Sequence, residues 1–278
     1  VGESSAEVAE RALQAVRVLF EARHAHIAAF IVEPLVQCAA GMAMHDAHYL
    51  RGLRALCDQY AVHLIADEIA VGCGRTGSFF AFEQAAQPGC PPLWPDFVCL
   101  SKGISGGYLP LSLVLTRDEI YRVFLDDDVT RGFLHSHSYT GNALACRAAL
   151  AVLDRFDEDD VLARNRAAAP ALSRALVSLA DDPRVEHLRQ HGMIWAFDVC
   201  AEFAGERFAE RFHLAGREQA LLIRPIGRTV YLMPPYVLDA ELAQWLAERT
   251  LATLEQTLGD GSPLTGSNAD RPSDPATA

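Results

Sequence analysis

No apolar run in the sequence approaches the roughly 20 residues that a membrane-spanning helix needs, and no basic segment followed by an apolar stretch opens it. A soluble, cytoplasmic protein with no membrane partner is the expectation. Material for disulfide or metal frameworks is also short. The seven cysteines (Cys38, Cys57, Cys73, Cys90, Cys99, Cys146, Cys200) form an odd set without a C-x-x-C pair, so free thiols in a reducing compartment are expected. Basic charge is scarce, with 24 Lys and Arg against 36 Asp and Glu for a formal net charge of -12. That balance argues against nucleic acid, whose binders carry a basic face able to release counterions from phosphates. Internal repeats are missing. What remains is a 278-residue chain, 50% hydrophobic and 22% charged, with enough apolar side chains for a large core. Small-molecule chemistry is the function class this leaves. Val1 is no initiator, and Gly2-Glu3-Ser4-Ser5 runs at once into an amphipathic pattern, which reads as a chain truncated at its start.

Helical spacing of Leu13, Val16 and Phe20 predicts a helix over residues 6–22, followed by a short buried strand at 27–33 that Pro34 closes. Asp46 is a candidate N-cap for a helix whose stripe is Leu50, Leu53, Leu56, Cys57 and Tyr60, and residues 62–67 read as a second buried strand. Strand, helix, strand in that order implies a parallel pair with a crossover. Residues 97–100 and 111–116 are further apolar runs between glycine-rich loops and look like strands of the same sheet. An alanine-rich helix over 142–156 leads to another at 161–179. A strand at 193–199, a helix near 205–216, strands at 221–224 and 229–233, and a last helix over 239–258 follow. The fold class expected is α/β: a mostly parallel sheet with flanking helices over residues 1–156, then a smaller α+β domain over 157–258. Residues 259–278, rich in Gly, Ser, Pro and Asp without periodicity, are expected to be a disordered tail.

Two strand ends carry the residues of interest. Leu64-Ile-Ala-Asp67-Glu68 puts a carboxylate where a buried strand ends, and ligands of parallel sheets bind at the carboxyl ends of strands; an isolated Asp-Glu pair is otherwise more often a turn cap. Lys102 follows another apolar strand, within Leu100-Ser-Lys102-Gly103-Ile-Ser-Gly106-Gly107. A lysine there is costly to bury unless its amine is covalently engaged or its pKa lowered, and Schiff-base formation with a cofactor aldehyde would engage it. A surface lysine in a flexible loop fits the local pattern equally well. Gly72-Cys-Gly74-Arg-Thr-Gly77 matches G-x-G-x-x-G after a strand, but it leads into Ser78-Phe-Phe-Ala-Phe-Glu, which has no clean helical stripe, and the strand-end acid precedes the glycines. Turn glycines explain it better than a dinucleotide fingerprint.

His135-Ser-His137-Ser138-Tyr139-Thr140-Gly141-Asn142 precedes a helix. It could gather an anion such as phosphate on its hydroxyls and N–H groups, or simply cap the helix. His135 and His137 lack a third ligand at matching spacing, so no metal is expected. Arg224 ends the 221–224 strand with a guanidinium able to hold a carboxylate through two parallel hydrogen bonds, and a surface ion pair is the competing account.

Taken together, Val32-Glu-Pro34, Asp67-Glu-Ile69, Gly74-Arg-Thr-Gly77, Ser101-Lys-Gly103 and Gly141-Asn142-Ala-Leu-Ala-Cys146 resemble the class III aminotransferases of the fold type I pyridoxal-phosphate enzymes, over about residues 27–254. The combination outweighs each local alternative. Val32-Glu-Pro-Leu-Val-Gln37, the block from His135 to Asn142 and the run from Ile223 to Tyr236 are most similar to family members that move an amino group from S-adenosylmethionine to 7-keto-8-aminopelargonic acid in biotin synthesis.

The resemblance implies a pyridoxal 5'-phosphate enzyme with the fold type I large domain, working on small molecules as a homodimer with shared active sites. Position by position it makes Lys102 the Schiff-base lysine, Asp67 the partner of the pyridine nitrogen, Ile69 the apolar contact on one ring face and Arg224 the clamp for the substrate carboxylate. Ser138 matches the hydroxyl that reaches the cofactor phosphate of the neighbouring subunit, where the family usually has threonine. Glu33 and Tyr139 are further residues on the substrate side. The family's N-terminal part, with a Gly-Ser phosphate loop and an aromatic residue that stacks on the other ring face, is not found before residue 27, so weak cofactor retention is expected. Three alternatives stand beside this: a class III aminotransferase for another ω-amino acid or diamine, a non-catalytic remnant that still dimerises, and a dinucleotide-dependent oxidoreductase built on Gly72 to Gly77.

Overall fold

A computed structural model describes residues 2–90 and 92–259; the segment read as a disordered tail lies, from residue 260 on, outside the described residues. In chain order the elements are α1 (Ser5–Arg23), β1 (Ala29–Val32), β2 (Val36–Gln37), β3 (Ala43–Met44), α2 (Ala47–Tyr60), β4 (His63–Asp67), β5 (Phe97–Leu100), β6 (Leu113–Thr116), α3 (Asp118–Arg122), α4 (Ala143–Glu158), α5 (Val161–Ala175), β7 (Val185–His191), β8 (Ile194–Val199), α6 (Ala201–Ala204), α7 (Phe208–Glu218), β9 (Thr229–Leu232) and α8 (Ala240–Leu258). No helix among the described residues is long and apolar enough to cross a membrane. Two compact units divide the chain, one made of residues up to 170 with 189–195 and 233–239, the other of 171–188, 196–232 and the chain from 240 on.

In the first unit the helix starts are set by side-chain caps. Ser4 Oγ accepts the Glu7 N–H, and the Glu7 carboxylate accepts the Ser4 N–H at 2.7 Å, a capping box that opens α1. Asp46 accepts the His48 N–H at 2.7 Å and opens α2, as its position in the sequence suggests. The four-stranded sheet runs in the order β1-β4-β5-β6, with β1, β4 and β5 mutually parallel and β6 antiparallel to β5. One face is packed: Val32, Leu64, Ala66, Val98 and Leu100 are buried, and Ala66, Val98 and Leu100 share a cluster with Ile104 and Ala149 of α4. Below the amino ends of these strands, the buried Asp96 carboxylate accepts hydrogen bonds from the Leu64 N–H and Arg54, both at 2.7 Å, and pairs with Arg117.

Three departures from the sequence reading concern residues after 180. Residues 221–224 form no strand: the Leu221 N–H donates to the Gly216 carbonyl at 2.7 Å and so closes α7, Pro225 has no N–H to give a ladder, and Leu222 is 83% exposed. The helix expected from residue 205 starts at Phe208, because Gly205 and Arg207 take positive φ (+64° and +51°) and separate it from the one-turn α6. β7 was not anticipated, since Val185-Glu-His-Leu-Arg-Gln-His191 carries too many polar side chains to read as a buried strand. It is the edge of a three-stranded sheet ordered β7-β8-β9. In the second unit α7 lays Phe208 and Phe212 inward, and Arg184 joins Asp182 and Glu255 of α8.

Candidate active site

Three parallel strands end side by side, and each end carries an ionisable side chain. Glu33 follows β1, Asp67 closes β4, and Lys102 stands two residues beyond the end of β5. The register sets Asp67 opposite Cys99, and the Glu68 N–H donates to the Cys99 carbonyl at 3.0 Å, so the ladder extends past the last paired residue of β4. Carboxyl ends of parallel strands are where such sheets bind ligands. Asp67 is half-buried; its Oδ1 accepts the Ile69 N–H at 3.1 Å, and among the described residues Oδ2 has no protein donor. Glu33 accepts the Cys38 N–H at 3.0 Å. Lys102 is exposed and its ammonium makes no ion pair among the described residues. Burial first, and then Glu33, pushes the Cys38 thiol up to about 12, against the opposing pull of Lys102 and Arg75.

Lys102 sits at φ +48°, a left-handed conformation that costs a non-glycine residue about 1 kcal/mol or more. The turn around it is held firmly enough to impose that. Ser101 Oγ donates to the Leu111 carbonyl at 2.8 Å, Ser105 Oγ to the Leu109 carbonyl at 2.6 Å, and the Gly106 N–H to the Gly103 carbonyl at 2.9 Å. Gly103 is required by contact, since a Cβ there would stand 2.8 Å from the Cys73 Cβ.

Beneath the 67–77 loop lies a residue whose role the sequence reading missed. Glu68 is 1% exposed, and its two carboxylate oxygens accept the N–H groups of Ala81 (2.8 Å) and Phe82 (2.9 Å). Burial pushes its carboxyl up to about 7 against the pull of those two donors. The Gly72 N–H returns to the Glu68 carbonyl at 2.9 Å, and a Cβ on Gly72 would stand 2.8 Å from that oxygen. A signal was present: alternation along β4 puts 64, 66 and 68 on the apolar side, and a carboxylate at an inward position needs buried donors.

Arg75 is the second residue missed. Its guanidinium donates to the Pro234 carbonyl at 2.7 Å and lies 4.5 Å from the centroid of the Tyr236 ring, without an acidic partner among the described residues. Burial pulls its pKa down. Tyr236 in turn donates to the Cys73 carbonyl at 2.7 Å. These partners are about 160 positions apart in the chain, so no local pattern announces them.

Of the remaining candidates, Ile69 adjoins Asp67, Ser138 and Tyr139 lie in another stretch of the first unit, and Arg224 belongs to the second unit. Ile69 is half-buried, two residues beyond Asp67. Ser138 and Tyr139 are exposed in the turn before α4, and among the described residues no hydrogen bond or ring contact joins them to either strand end; Tyr139 is 75% exposed, and its N–H donates to His137 Nδ1 at 3.1 Å. Arg224 is exposed in the second unit, after α7. Among the described residues no group of His, Cys, Asp and Glu is arranged to hold a metal. The donor set at the strand ends does fit pyridoxal phosphate: an unpaired amine for its aldehyde, a carboxylate with one uncommitted oxygen for a ring N–H, and an apolar side chain beside it.

Comparison with known proteins extends this local picture to the whole chain. The family model "Aminotransferase class-III" matches residues 1–254. An adenosylmethionine-8-amino-7-oxononanoate aminotransferase of Helicobacter pylori is 46% identical over 237 residues, covering 84% of this chain and 53% of that protein; one of Nitratidesulfovibrio vulgaris is 43% identical over 221 residues, 76% and 40%. Among solved structures, an (S)-enantioselective omega-transaminase of Thermomicrobium roseum superposes with a TM-score of 0.83 at 28% identity, over 92% of this chain and 57% of that one. An adenosylmethionine-8-amino-7-oxononanoate aminotransferase of Methanocaldococcus jannaschii gives 0.79 at 28% identity, over 88% and 57%. The chain spans about half the length of the curated relatives it matches. With the fold shared, and the family pattern running through both strand ends and almost to the end of the described residues, this chain belongs to the class III aminotransferase family.

Proposed function

We propose that the protein to which this chain belongs is a pyridoxal-phosphate-dependent aminotransferase that moves an amino group from S-adenosylmethionine to 7-keto-8-aminopelargonic acid, in the cytoplasm and as a homodimer with shared active sites. One observation carries the reading: Asp67 and Lys102 end adjacent parallel strands, at the end of the sheet where ligands bind. Its substrates are taken from what the Helicobacter pylori and Nitratidesulfovibrio vulgaris relatives are named for.

When bound, the cofactor supplies an electron sink for the charge left on a substrate carbon as its proton departs. The residues of this chain do the rest. Asp67 Oδ2 holds a proton on the ring nitrogen by pairing with the charged form. Lys102 Nζ would hold the cofactor through its aldehyde and, as a free amine, would accept and return the proton at the reacting carbon of the substrate. Ile69 would pack on one ring face, Ser138 would donate its hydroxyl to the phosphate held by the neighbouring subunit, and Arg224 would orient the substrate by its carboxylate, with Glu33 and Tyr139 on the substrate side.

An absorbance titration with pyridoxal phosphate tests this. The 278-residue chain is expected to show weak, saturable binding that Lys102→Ala abolishes and that Asp67→Asn weakens by about tenfold, the equivalent of about 1.4 kcal/mol. Unchanged titration of Lys102→Ala would refute the assignment. Half-reactions with S-adenosylmethionine, an ω-amino acid and a diamine then separate the donors.

A further inference from the structure

At the amino ends of the strands, across the sheet from Asp67 and Lys102, a second set of charged side chains lines an open groove of about 440 Å³. The four residue steps of β4 from His63 to Asp67 put roughly 13 Å between the two ends of the sheet, so the groove is separate from the candidate active site. Its wall carries three arginines, Arg51 and Arg54 of α2 and Arg117 just beyond β6, against one acid, Asp58. That is a basic spot on a chain of net charge -12.

Two of these arginines are anchored. Asp96, 2% exposed, accepts from Arg54 at 2.7 Å and pairs with Arg117, while Asp58 takes the other terminal nitrogen of Arg54 at 2.8 Å and Glu119 meets Arg117 at 3.1 Å. Donors remain beyond those pairs. Arg54 Nε is buried without an acceptor, and Arg51, half-buried three residues earlier in α2, has no hydrogen bond or ion pair among the described residues. Buried donors ordinarily have acceptors, and an entering anion would supply them. The same groove carries Trp94, which is 60% exposed although its indole packs on the buried Phe82 at 5.9 Å between ring centroids. An open aromatic ring fixed by a core neighbour is a stacking platform.

We infer that this groove binds a nucleoside monophosphate, its base stacked on Trp94 and its phosphate held by Arg51 beside the spare donor of Arg54. A guanidinium fork matches phosphate oxygens, every base offers a face to stack, and pockets for small ligands span roughly 300–1,000 Å³. A bare anion would leave Trp94 unused, and an uncharged aromatic would leave the arginines unanswered, so one molecule must carry both groups. The inference rests on the amino ends of the strands and stands apart from the cofactor reading at Lys102.

Cys90, exposed on the groove wall, reports occupancy. Maleimide labelling of the 278-residue chain without pyridoxal phosphate, read by peptide mass spectrometry, is expected to slow at Cys90 by at least about tenfold as adenosine monophosphate saturates the groove. The exposed Cys146 of α4 should label at an unchanged rate. Arg51→Ala and Trp94→Ala are each expected to raise the concentration for half-protection at least about tenfold, with cooperative unfolding intact. Arg51→Lys, which keeps the charge without the fork, should fall between. Adenosine and inorganic phosphate, tested separately, should each protect at least about tenfold more weakly than the monophosphate. Cys90 labelling that ignores adenosine monophosphate at every concentration overturns the inference, as does protection that Arg51→Ala leaves unchanged. Equal protection by inorganic phosphate alone also overturns it, because the groove would then hold an adventitious ion only.

Discussion

The strand-end turns and the segment before α4 both hold candidate site residues in the first unit, and they are built in opposite ways. From residue 67 to 77, and again from 101 to 106, the turns are fixed from below by Glu68 on the Ala81 and Phe82 N–H groups, by Tyr236 on the Cys73 carbonyl, and by the two serine hydroxyls of the lysine turn. From residue 133 to 144 every side chain is exposed. The bonds there are local, with Asn142 Oδ1 accepting the Leu144 N–H at 3.0 Å and Thr140 Oγ1 accepting the His137 N–H at 3.1 Å. A site needs its reacting groups held by packed neighbours. Among the described residues the strand ends have that support, whereas Ser138 and Tyr139 do not.

The contrast breaks most severely at Glu68. Glu68→Ala leaves two buried N–H groups without acceptors and is expected to cost about 3 kcal/mol or more in urea unfolding. The acid form of Glu68 makes a second expectation on the same scale. Its carboxyl is raised from an ordinary 4.5 to about 7 by burial, so in that window the folded chain binds more protons than the unfolded one. Its contribution is full below 4.5 and is lost as pH rises through about 7, an amplitude on the order of 3 kcal/mol. Unfolding curves from about pH 5 to pH 8 should show this decline, and Glu68→Gln should flatten it. Gly103→Ala forces a Cβ against Cys73 and is expected to cost about 1–3 kcal/mol, with Lys102 displaced as well. Tyr236→Phe removes one hydrogen bond and should cost about 1 kcal/mol. Ser138→Ala, in the exposed stretch, should shift stability by less than about 0.5 kcal/mol while weakening cofactor binding in the dimer proposed above. A Ser138→Ala variant as unstable as Tyr236→Phe would erase the distinction between the two stretches.

What the sequence made legible follows the range of the interactions. β5 was read at its observed ends, and Asp46 as the cap of α2, because a short apolar run and a cap residue act on their immediate neighbours. That 62–67 and 97–100 are strands of one sheet was legible for a similar reason, whereas Asp67 and Lys102 were singled out only through the family resemblance, because the local pattern around Lys102 fits a surface lysine equally well. The support of Arg75 by Pro234 and Tyr236 was not legible, as it joins distant segments. Leu221-Leu-Ile-Arg224 has strand composition, yet the α7 cap and Pro225 prevent a ladder from forming. Polar β7 escaped for the converse reason, because its pairing comes from the neighbouring strand rather than from its own apolar content.

The central claim is that one small molecule bridges the ends of β4 and β5, bound through the amine of Lys102 and answered by the carboxylate of Asp67. Borohydride reduction of the chain incubated with pyridoxal phosphate, followed by peptide mass mapping, tests it most directly. The expected result is one dominant adduct on Lys102, with its yield sharply reduced in Asp67→Asn. Arginines cannot form that adduct, and Lys102 is the only lysine among these 278 residues, so an unmodified peptide spanning residue 102, or a yield indifferent to Asp67→Asn, would contradict the account.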